Sequence, residues 1–408
     1  MQTNLADFIR GTHDGDEAEA ILRACVHCGF CTATCPTYQL LGDELDGPRG
    51  RIYLIKQVLE GALPTQKTQL HLDRCLTCRN CETTCPSGVR YGRLVDIGRK
   101  VVDARVGRGR REKLTRMTLR HLLPNTALFG AAFKAGLAVR PLLSQELQDK
   151  LQPPRRAGVR PTRAHARKML VLEGCVQPAM APSINAAAAR VLDALGVQLI
   201  SAPKAGCCGA VRYHLNDQEA GLDDMRRNID AWWPYIEQVE AIVMTASGCG
   251  VTVKEYGHLL AHDSAYAAMA ARISAMTRDL SEILPAFEAE LAHKLQGKTG
   301  ARVAFHPPCT LQHGQQIRGK VEGVLRAAGV DVVLCQDSHL CCGSAGTYSV
   351  LHPAIAHELR DAKLANLHAT GATAIVSANV GCLSHLQSGT DTPVTHWIEL
   401  IDRALRTT

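Results

Sequence analysis

Two copies of one cysteine pattern, C-x2-C-x2-C-x3-C-P, lie fifty positions apart near the N-terminus of this chain. Three cysteines at this spacing wrap a short loop of backbone around one cubane [4Fe–4S] cluster, and the fourth reaches the other cluster in proteins that hold two. The spacing therefore predicts two [4Fe–4S] clusters with crossed ligand sets. The first predicted set is Cys25, Cys28, Cys31 and Cys85, and the second is Cys75, Cys78, Cys81 and Cys35.

Two other uses of cysteine fit this spacing poorly. A zinc site needs only four ligands in two close pairs, so it would leave several of these cysteines over. A disulfide framework is typical of short secreted chains. The first twenty residues contain no basic segment followed by an apolar one, so no signal peptide is predicted. The cysteines therefore indicate metal clusters in a reducing compartment.

The length and net charge of the chain restrict its domain number and the kinds of partner it can bind. At 408 residues the chain is long enough for two or three domains. Its formal charge of +7 counts the thiols as neutral, and two clusters of about −2 each would lower the total to about +3. No basic patch is interleaved with aromatic residues, which argues against a nucleic-acid partner. The longest apolar stretch, 127–139, contains Lys134 and is too short to span a bilayer.

Residues 1–104 are predicted to form an α-helical ferredoxin-type domain. Amphipathic helices are expected over 17–23, 49–60 and 91–104, the last with Leu94, Ile97 and Val101 on one face.

The segment 42–51 reads as a turn by composition, with Asp46 or Pro48 placed to start the next helix. We interpret Arg49 and Arg51 as a solvated helix start. The alternative is that they offset cluster charge or contact a partner.

Residues 105–167 form a basic segment that contains several prolines. Its cations fall into two groups, Arg105, Arg108, Arg110, Arg111 and Lys113, and Arg155, Arg156, Arg160, Arg163 and Arg167. The apolar stretch 128–143 lies between these groups. Two interpretations stay open: a linker with one packed helix, or a docking surface for another subunit or an anionic membrane face.

The rest of the chain is an internal duplication. Its first copy contains Cys175, Cys207-Cys208-Gly209 and Cys249, which recur with offsets of 134, 134 and 133 as Cys309, Cys341-Cys342-Gly343 and Cys382. Strands are expected at 169–172, 197–201, 241–245, 302–305, 330–334 and 373–377, with helices such as 184–195 and 320–328 between them. Alternating strands and helices predict two α/β domains, 168–298 and 299–408, with parallel sheets. The predicted fold class is thus α + α/β.

Each matched cysteine falls just past a predicted strand, where open α/β sheets place their sites. The glycine after each Cys-Cys pair lets the backbone turn sharply, so that adjacent thiols can face one centre. A metal, cluster or redox role is predicted for the eight matched thiols. Cys335 has no counterpart and is interpreted as a small buried hydrophobic residue.

These residues carry a resemblance to the CCG domains of heterodisulfide reductase subunits, lactate-utilisation proteins and the anaerobic glycerol-3-phosphate dehydrogenase small subunit. In the heterodisulfide reductase branch each half ends in C-x-x-C and holds a non-cubane cluster. Here neither half has the last cysteine, and His385 occupies its place in the second half. A single ordinary cluster, a haem or a structural remnant remain alternatives at these motifs. At 306–309, His-Pro-Pro-Cys departs from the cysteine or small residue expected beside the proline.

The stretches 23–61, 72–94, 246–257 and 337–349, beginning with RACVHCGFCTATCP, are more specifically similar to the iron–sulfur subunits of bacterial glycolate oxidases. The resemblance implies an electron-transfer subunit of a hetero-oligomeric glycolate dehydrogenase, with no catalytic residue of its own. It also implies FAD-containing catalytic partners, a quinone or another acceptor, and a cytoplasmic location at the inner face of the cell inner membrane. The sequence itself has no G-x-G-x-x-G motif after a strand and no P-loop.

The loop residues suggest that the two clusters differ in potential. Arg79 and Asn80 lie in the second cysteine run, whereas Val26 and His27 lie in the first. Alternative functions are a lactate or glycerol-3-phosphate dehydrogenase subunit, a self-sufficient reductase that uses the CCG cysteines, and a zinc-binding scaffold.

Overall fold

The computed structural model describes residues 1–143, 148, 151–296, 300 and 302–406. The chain divides into two compact units. The first unit comprises Met1–Met117 and His339–Lys363, and the second comprises Thr118–Ser338 and Leu364–Thr408. The predicted limit between residues 298 and 299 lies outside the described residues, and the division of the sequence into four regions remains a prediction.

Helices and loops, without strands, make up the described residues of the first unit. Its α-helices are His13–Ala24, Pro36–Leu41, Pro48–Leu59, Gln66–Asp73, Asn80–Thr84, Tyr91–Val106 and Tyr348–Leu351, and Arg110–Leu122 and Pro353–His368 begin in it. Two 3-10 turns, Phe30–Thr32 and Glu44–Asp46, lie between these helices.

The three helices expected in this region are present. Pro48 occupies the first turn of its helix, where its missing N–H costs no hydrogen bond. Leu94 and Ile97 are buried in the core of the unit, and Val101 packs against that core. The helical part of the predicted fold class is therefore confirmed.

The second unit contains two four-stranded sheets. The strands of the first sheet are β1 (Arg167–Val171), β2 (Val197–Ser201), β3 (Ile242–Met244) and β4 (Thr277–Asp279), in the order β2-β1-β3-β4. Those of the second are β5 (Arg302–His306), β6 (Asp331–Leu334), β7 (Ala374–Ser377) and β8 (Val394–His396), in the order β6-β5-β7-β8. All strand pairs are parallel. The repeated α/β topology confirms the predicted duplication, while β4 and β8 were not expected.

Helices connect these parallel strands, because two parallel strands cannot be joined by a tight hairpin. The α-helices of the second unit are Thr126–Ala138, Gln177–Met180, Pro182–Ala194, Ala210–His214, Gln218–Trp232, Ser247–Lys254, Tyr256–Leu259, Ala267–Met276, Leu280–Ile283, Glu288–Leu295, Lys320–Ala327, Val380–Gln387 and Trp397–Arg406. Shorter turns are Arg140–Leu142, Trp233–Tyr235, Leu284–Phe287 and the π-helix Thr310–Gly314.

The two copies of the α/β motif contact each other within the second unit. Arg190 of the first copy pairs with Asp402 of the second through two contacts of 2.8 Å. Nε2 of His396 lies 2.9 Å from the carbonyl oxygen of Thr245. These contacts link a helix and a strand end of the first copy to a helix and a strand of the second.

Many cations of the basic segment 105–167 pair with carboxylates. The side chain of Arg108 is 6% exposed and contacts Asp73, Asp103 and Glu112 within the first unit. In the second unit Arg160 pairs with Glu173 at 2.6 Å. The linker and docking interpretations of the segment both stay open. Among the described residues, no helix is both long enough and apolar enough to cross a bilayer.

Candidate metal centres

The two cysteine loops of the first unit share one backbone conformation. His27 and Gly29 have φ angles of 61° and 88°, and Thr77 and Arg79 have φ angles of 52° and 58°. These residues lie two and four positions after the first cysteine of their loop. Left-handed residues curl the chain, which lets cysteines three positions apart face one centre. Because three of the four are not glycine, the strain indicates a geometric requirement common to both loops.

A first cavity lies inside the first cysteine loop. Its empty volume is about 440 Å³, and its cysteine lining is Cys25, Cys28, Cys31, Cys81 and Cys85. Cys28 is exposed, and the neighbouring side chains of Val26 and Phe30 are 68% and 62% exposed. Cys85 thus lies with the cysteines of the other loop.

A second cavity lies inside the second cysteine loop. Its empty volume is about 300 Å³, and its cysteine lining is Cys35, Cys75, Cys78 and Cys81. Arg51, Arg79 and Tyr91 also line it. Cys81 lines both cavities, so the two cavities adjoin at this residue.

The donor set of each cavity fits a cubane cluster, which takes four thiolates. Burial, with the neighbouring Cys25, raises the pKa of Cys31 to about 11. Burial, with the neighbouring Cys78, also raises the pKa of Cys81 well above its usual value. Grouped buried thiols resist ionisation unless a cation accompanies them. The cavities therefore have the chemistry of metal sites.

Polar groups also approach the sulfur atoms of the second cavity. The backbone N–H of Thr77 donates to Sγ of Cys75 at 3.3 Å. The hydroxyl of Thr37 lies 3.3 Å from Sγ of Cys35, and it donates its proton to the carbonyl oxygen of Asp46 at 2.8 Å. The hydrogen bond from Thr77 stabilises negative charge on the sulfur of Cys75.

The interpretation of Arg51 as part of a solvated helix start is wrong. Arg51 is only 1% exposed, and its guanidinium donates to the carbonyl oxygen of His71 at 2.7 Å and to the hydroxyl of Thr37 at 3.1 Å. It also lies 3.4 Å from the fully buried carboxylate of Asp46. Arg49 is partly exposed and pairs with Glu44 at 2.6 Å. Only Arg49 is therefore solvated.

Residues His339–Lys363 contribute to the same unit as the cysteine loops. The hydroxyl of Tyr348 donates to the carbonyl oxygen of Arg74 at 3.1 Å. The side-chain amide of Asn80 donates to the carbonyl oxygen of His339 at 3.2 Å. Tyr348 lies within electrostatic reach of both Cys75 and Cys341. The second Cys-Cys-Gly motif thus begins beside the second cysteine loop.

In the second unit, the first copy of the duplication brings four thiols together. Cys175, Cys207 and Cys208 follow β1 and β2, and Cys249 lies in the helix after β3. Cys207 is within hydrogen-bonding reach of Cys175 and Cys208, and Cys208 is also within reach of Cys249. The contact with Cys207, followed by burial, raises the pKa of Cys175 well above its usual value. All four therefore lie at the carboxyl edge of one parallel sheet.

Backbone contacts hold the Cys207-Cys208 pair in place. Asn228 donates to the carbonyl oxygen of Cys207 at 2.7 Å, and the hydroxyl of Tyr256 donates to that of Cys208 at 2.9 Å. Gly209 has a φ of 92°, and a Cβ atom there would lie 2.5 Å from the carbonyl oxygen of Gly221. The glycine is therefore required both for its backbone angle and for close packing.

The second copy repeats this turn. Gly343 has a φ of 89°, and a Cβ atom there would lie 2.5 Å from the carbonyl oxygen of Ala356. Cys341 and Cys342 are buried in the first unit.

The remaining residues of that copy lie in the second unit. Cys309, Cys382 and His385 are all buried there, and Asn379 donates to Sγ of Cys382 at 3.5 Å. Cys335 is buried as well.

Comparison with known proteins identifies these regions. Residues 21–89 match the family model described as a 4Fe-4S dicluster domain, and residues 169–254 and 303–387 match the CCG model, described as a cysteine-rich domain. The glycolate oxidase iron-sulfur subunit of Escherichia coli (strain K12) is 55% identical over 407 residues, which cover 99% of each chain. The chain belongs to the family of glycolate oxidase iron–sulfur subunits.

More distant relatives match all or part of the chain. The probable glycolate oxidase iron-sulfur subunit of Bacillus subtilis (strain 168) is 29% identical over 92% of this chain and 90% of the relative. The lactate utilization protein A of Geobacillus kaustophilus (strain HTA426) is 23% identical over 54% of this chain and 90% of the relative. The expected family, its CCG repeat and its iron–sulfur cofactors are confirmed.

Three residues in or beside the second cysteine loop's cavity were not singled out by the sequence patterns: Thr37 and Tyr91, which line it, and Tyr348, which contacts the backbone of Arg74. Burial and the neighbouring Cys75 raise the pKa of Tyr91 well above its usual value. A signal for Thr37 was available, because it follows the C-P dipeptide at the entrance of a helix. Tyr348 lies more than 250 residues from the loop that it contacts, and no local pattern could have linked the two.

Proposed function

We propose that this chain is the electron-transfer subunit of a glycolate dehydrogenase complex and passes single electrons between a flavoprotein and a second acceptor. The observation that carries the proposal is the pair of adjoining cavities, which are lined by five and by four cysteines that come from both loops. The 55% identity to a glycolate oxidase iron-sulfur subunit supports the choice of glycolate. [4Fe–4S] clusters bound in these cavities would supply one-electron chemistry.

The residues of the chain would act by holding and insulating the clusters. We assign Cys25, Cys28, Cys31 and Cys85 to the first cavity and Cys35, Cys75, Cys78 and Cys81 to the second. Cys28 lies at the surface, which gives a donor or an acceptor access to the first cavity. Three of the four cysteines of the second cavity, Cys35, Cys75 and Cys81, are buried, which limits contact of their sulfurs with water. Limited contact with water favours electron transfer between proteins over loss of electrons to solvent.

FAD-containing subunits of the same complex are proposed to oxidise glycolate to glyoxylate, because the chain has no nucleotide-binding motif of its own. The proposed acceptor is a quinone or another electron acceptor. The complex is proposed to lie at the cytoplasmic face of the inner membrane.

The four thiols Cys175, Cys207, Cys208 and Cys249 are proposed to form a third metal or redox centre. Their mutual contacts and their position at a sheet edge support this assignment. A related role is proposed for Cys309, Cys341, Cys342, Cys382 and His385 in the second copy.

The ligand assignment can be tested by serine substitution of cysteines followed by EPR of the anaerobically purified, dithionite-reduced chain. Crossed pairing predicts that Cys28→Ser and Cys85→Ser leave the same residual cubane signal. It also predicts that Cys78→Ser and Cys35→Ser leave the other one. If Cys85→Ser instead matches Cys78→Ser, the ligand sets are not crossed. Absence of iron and acid-labile sulfide from the unmodified chain would contradict the whole proposal.

Substrate assignment needs the complete complex. Reduction of an artificial acceptor by glycolate, lactate and glycerol 3-phosphate compares the proposed substrate with its alternatives, and the lactate utilization relatives make lactate the second candidate. Activity of the isolated chain with a hydroxy acid or a disulfide would indicate a self-sufficient reductase instead.

A further inference from the structure

The cation Arg51 is enclosed at the second cavity. Arg51 lines that cavity together with the four cysteines proposed as ligands. The Thr37 hydroxyl lies 3.1 Å from Nη1 of Arg51 and 3.3 Å from Sγ of Cys35. Only the Thr37 hydroxyl therefore separates the positive charge from the sulfur atom of Cys35, which would carry part of a cluster's charge.

The charge on Arg51 is permanent. Burial alone favours the neutral form, but attraction to Cys75, Tyr91, Cys35 and Asp46 outweighs burial, so the pKa of Arg51 is raised. An arginine guanidinium stays protonated even without such help. Its influence on the cavity therefore does not depend on pH in the range in which the protein works.

The nearest acid only partly neutralises Arg51. Asp46 is 3.4 Å from Arg51 but only 2.8 Å from Arg74. These two arginines and one carboxylate leave one net positive charge. Arg99, also buried, donates to the carbonyl oxygen of Cys75 at 2.6 Å and adds a further cation on the same side.

No comparable cation faces the first cavity among the described residues that line it. Arg49 lines that cavity, but it pairs with Glu44, and the two side chains are 37% and 40% exposed. Water and salt screen an exposed pair strongly, whereas a charge without solvent acts over several ångströms in a lower dielectric. The two cavities therefore differ in electrostatic potential.

Building on the proposed function, we propose that Arg51 raises the midpoint potential of the cluster in the second cavity above that of the cluster in the first. Adding one electron makes a cluster more negative, and a fixed buried cation favours the more negative form. The step moves one electron and no proton: the first cluster is oxidised by one electron and the second is reduced by one. Arg51 is a positioning residue: it acts only through the positive charge that it places beside the second cavity.

The test is an EPR-monitored redox titration of the full chain, purified anaerobically, with Arg51→Gln and Arg49→Gln as a matched pair from one helix. The signal of the first cluster can be assigned by its stronger relaxation with a soluble paramagnetic ion, since Cys28 is exposed. The ratio is compared at the applied potential at which the second cluster of the unmodified chain is half reduced. At that potential, Arg51→Gln is expected to lower the ratio of reduced to oxidised second cluster at least tenfold. For one electron that is about 59 mV. Arg49→Gln is expected to change neither ratio by more than about twofold.

Two more variants separate charge from structure. Arg51→Lys keeps the cation and is expected to retain most of the potential, whereas Asp46→Asn removes a negative charge and is expected to raise the same midpoint. The Asp46 variant also tests the proposal if Arg51→Gln loses its iron. Equal shifts of both clusters, or no shift in either the Gln or the Asn variant, would overturn the proposal. A chain with no cubane signal at all would overturn the proposed function instead.

Discussion

At the scale of single residues, His396 shows how packing fixes a protonation state. Its side chain is fully buried, its Nε2 lies 2.9 Å from the carbonyl oxygen of Thr245, and the N–H of Ile398 donates to Nδ1 at 3.2 Å. These contacts suit the neutral ring with the proton on Nε2. Burial, opposed by Glu399 and by the carbonyl oxygen of Thr245, lowers the pKa of His396 to about 4.

This pKa predicts a loss of stability in acid. Between about pH 6.5 and pH 4 the unfolded chain binds a proton at His396 that the folded chain does not bind. The stabilisation is complete above pH 6.5 and is lost as the pH falls toward 4, by on the order of 3 kcal/mol. His396→Gln does not titrate, so its deficit relative to the unmodified chain should narrow over this interval in anaerobic thermal melts. A deficit that stays constant with pH would contradict the assignment.

Some residues of the candidate sites were readable from the sequence, and others were not. The cysteines and the CCG glycines follow from their spacing, because a cluster or a tight turn imposes fixed local distances. The prediction that Arg51 is solvated is wrong, because the charged residues around it in the sequence suggest an exposed turn. Its burial depends on Asp46, Thr37 and the carbonyl oxygen of His71, which meet it only in the folded unit.

At the scale of elements, the two sheets show which strands can be predicted from the pattern of apolar residues. The apolar strands β1, β2, β3, β5, β6 and β7 lie within about two residues of their predicted limits. The two strands that were missed, β4 and β8, are three residues long, have the sequences TRD and VTH, and lie at sheet edges. A short strand with polar residues gives no apolar run, so only the pairing with its neighbour reveals it.

The turn after β2 is an element whose geometry can be tested. Gly209 begins the helix Ala210–His214 with a left-handed backbone, and the carbonyl oxygen of Gly221 occupies the space of a side chain. Gly209→Ala should therefore destabilise the chain by about 2 kcal/mol or more, since strain and overlap add. Stability is measured as the shift of an anaerobic thermal melt.

The matched control for this turn is Gly196→Ala. Gly196 has a φ of 75°, and no atom lies within 4 Å of its hypothetical Cβ. Its replacement should cost only the backbone strain, about 1 kcal/mol. Equal losses in the two variants would show that the contact with Gly221 contributes nothing.

At the scale of the whole molecule, the number of metal centres per chain is the quantity to measure. Two cubanes account for about eight iron atoms. If the thiol group of the first CCG copy also holds iron, the anaerobically purified chain should contain more than that. Cys207→Ser should then lower the iron content while leaving both cubane EPR signals unchanged. Cys335→Ser, which alters a buried thiol outside the repeated motifs, is the matched control. An unchanged iron content in Cys207→Ser would argue against an iron centre at these thiols. If iron is lost, the optical spectrum distinguishes a haem from an iron–sulfur cluster.

The contacts of Tyr348 with Arg74 and of Asn80 with His339 have a consequence for anyone who dissects this protein. The ferredoxin-like portion is not a contiguous cassette: a fragment ending at residue 117 would lack the twenty-five residues His339–Lys363 that complete it. A chimera that transplants the cysteine loops must carry this distant stretch as well. A chimera that exchanges only the N-terminal segment, or only the segment containing His339–Lys363, would remove native contacts of the cysteine loops.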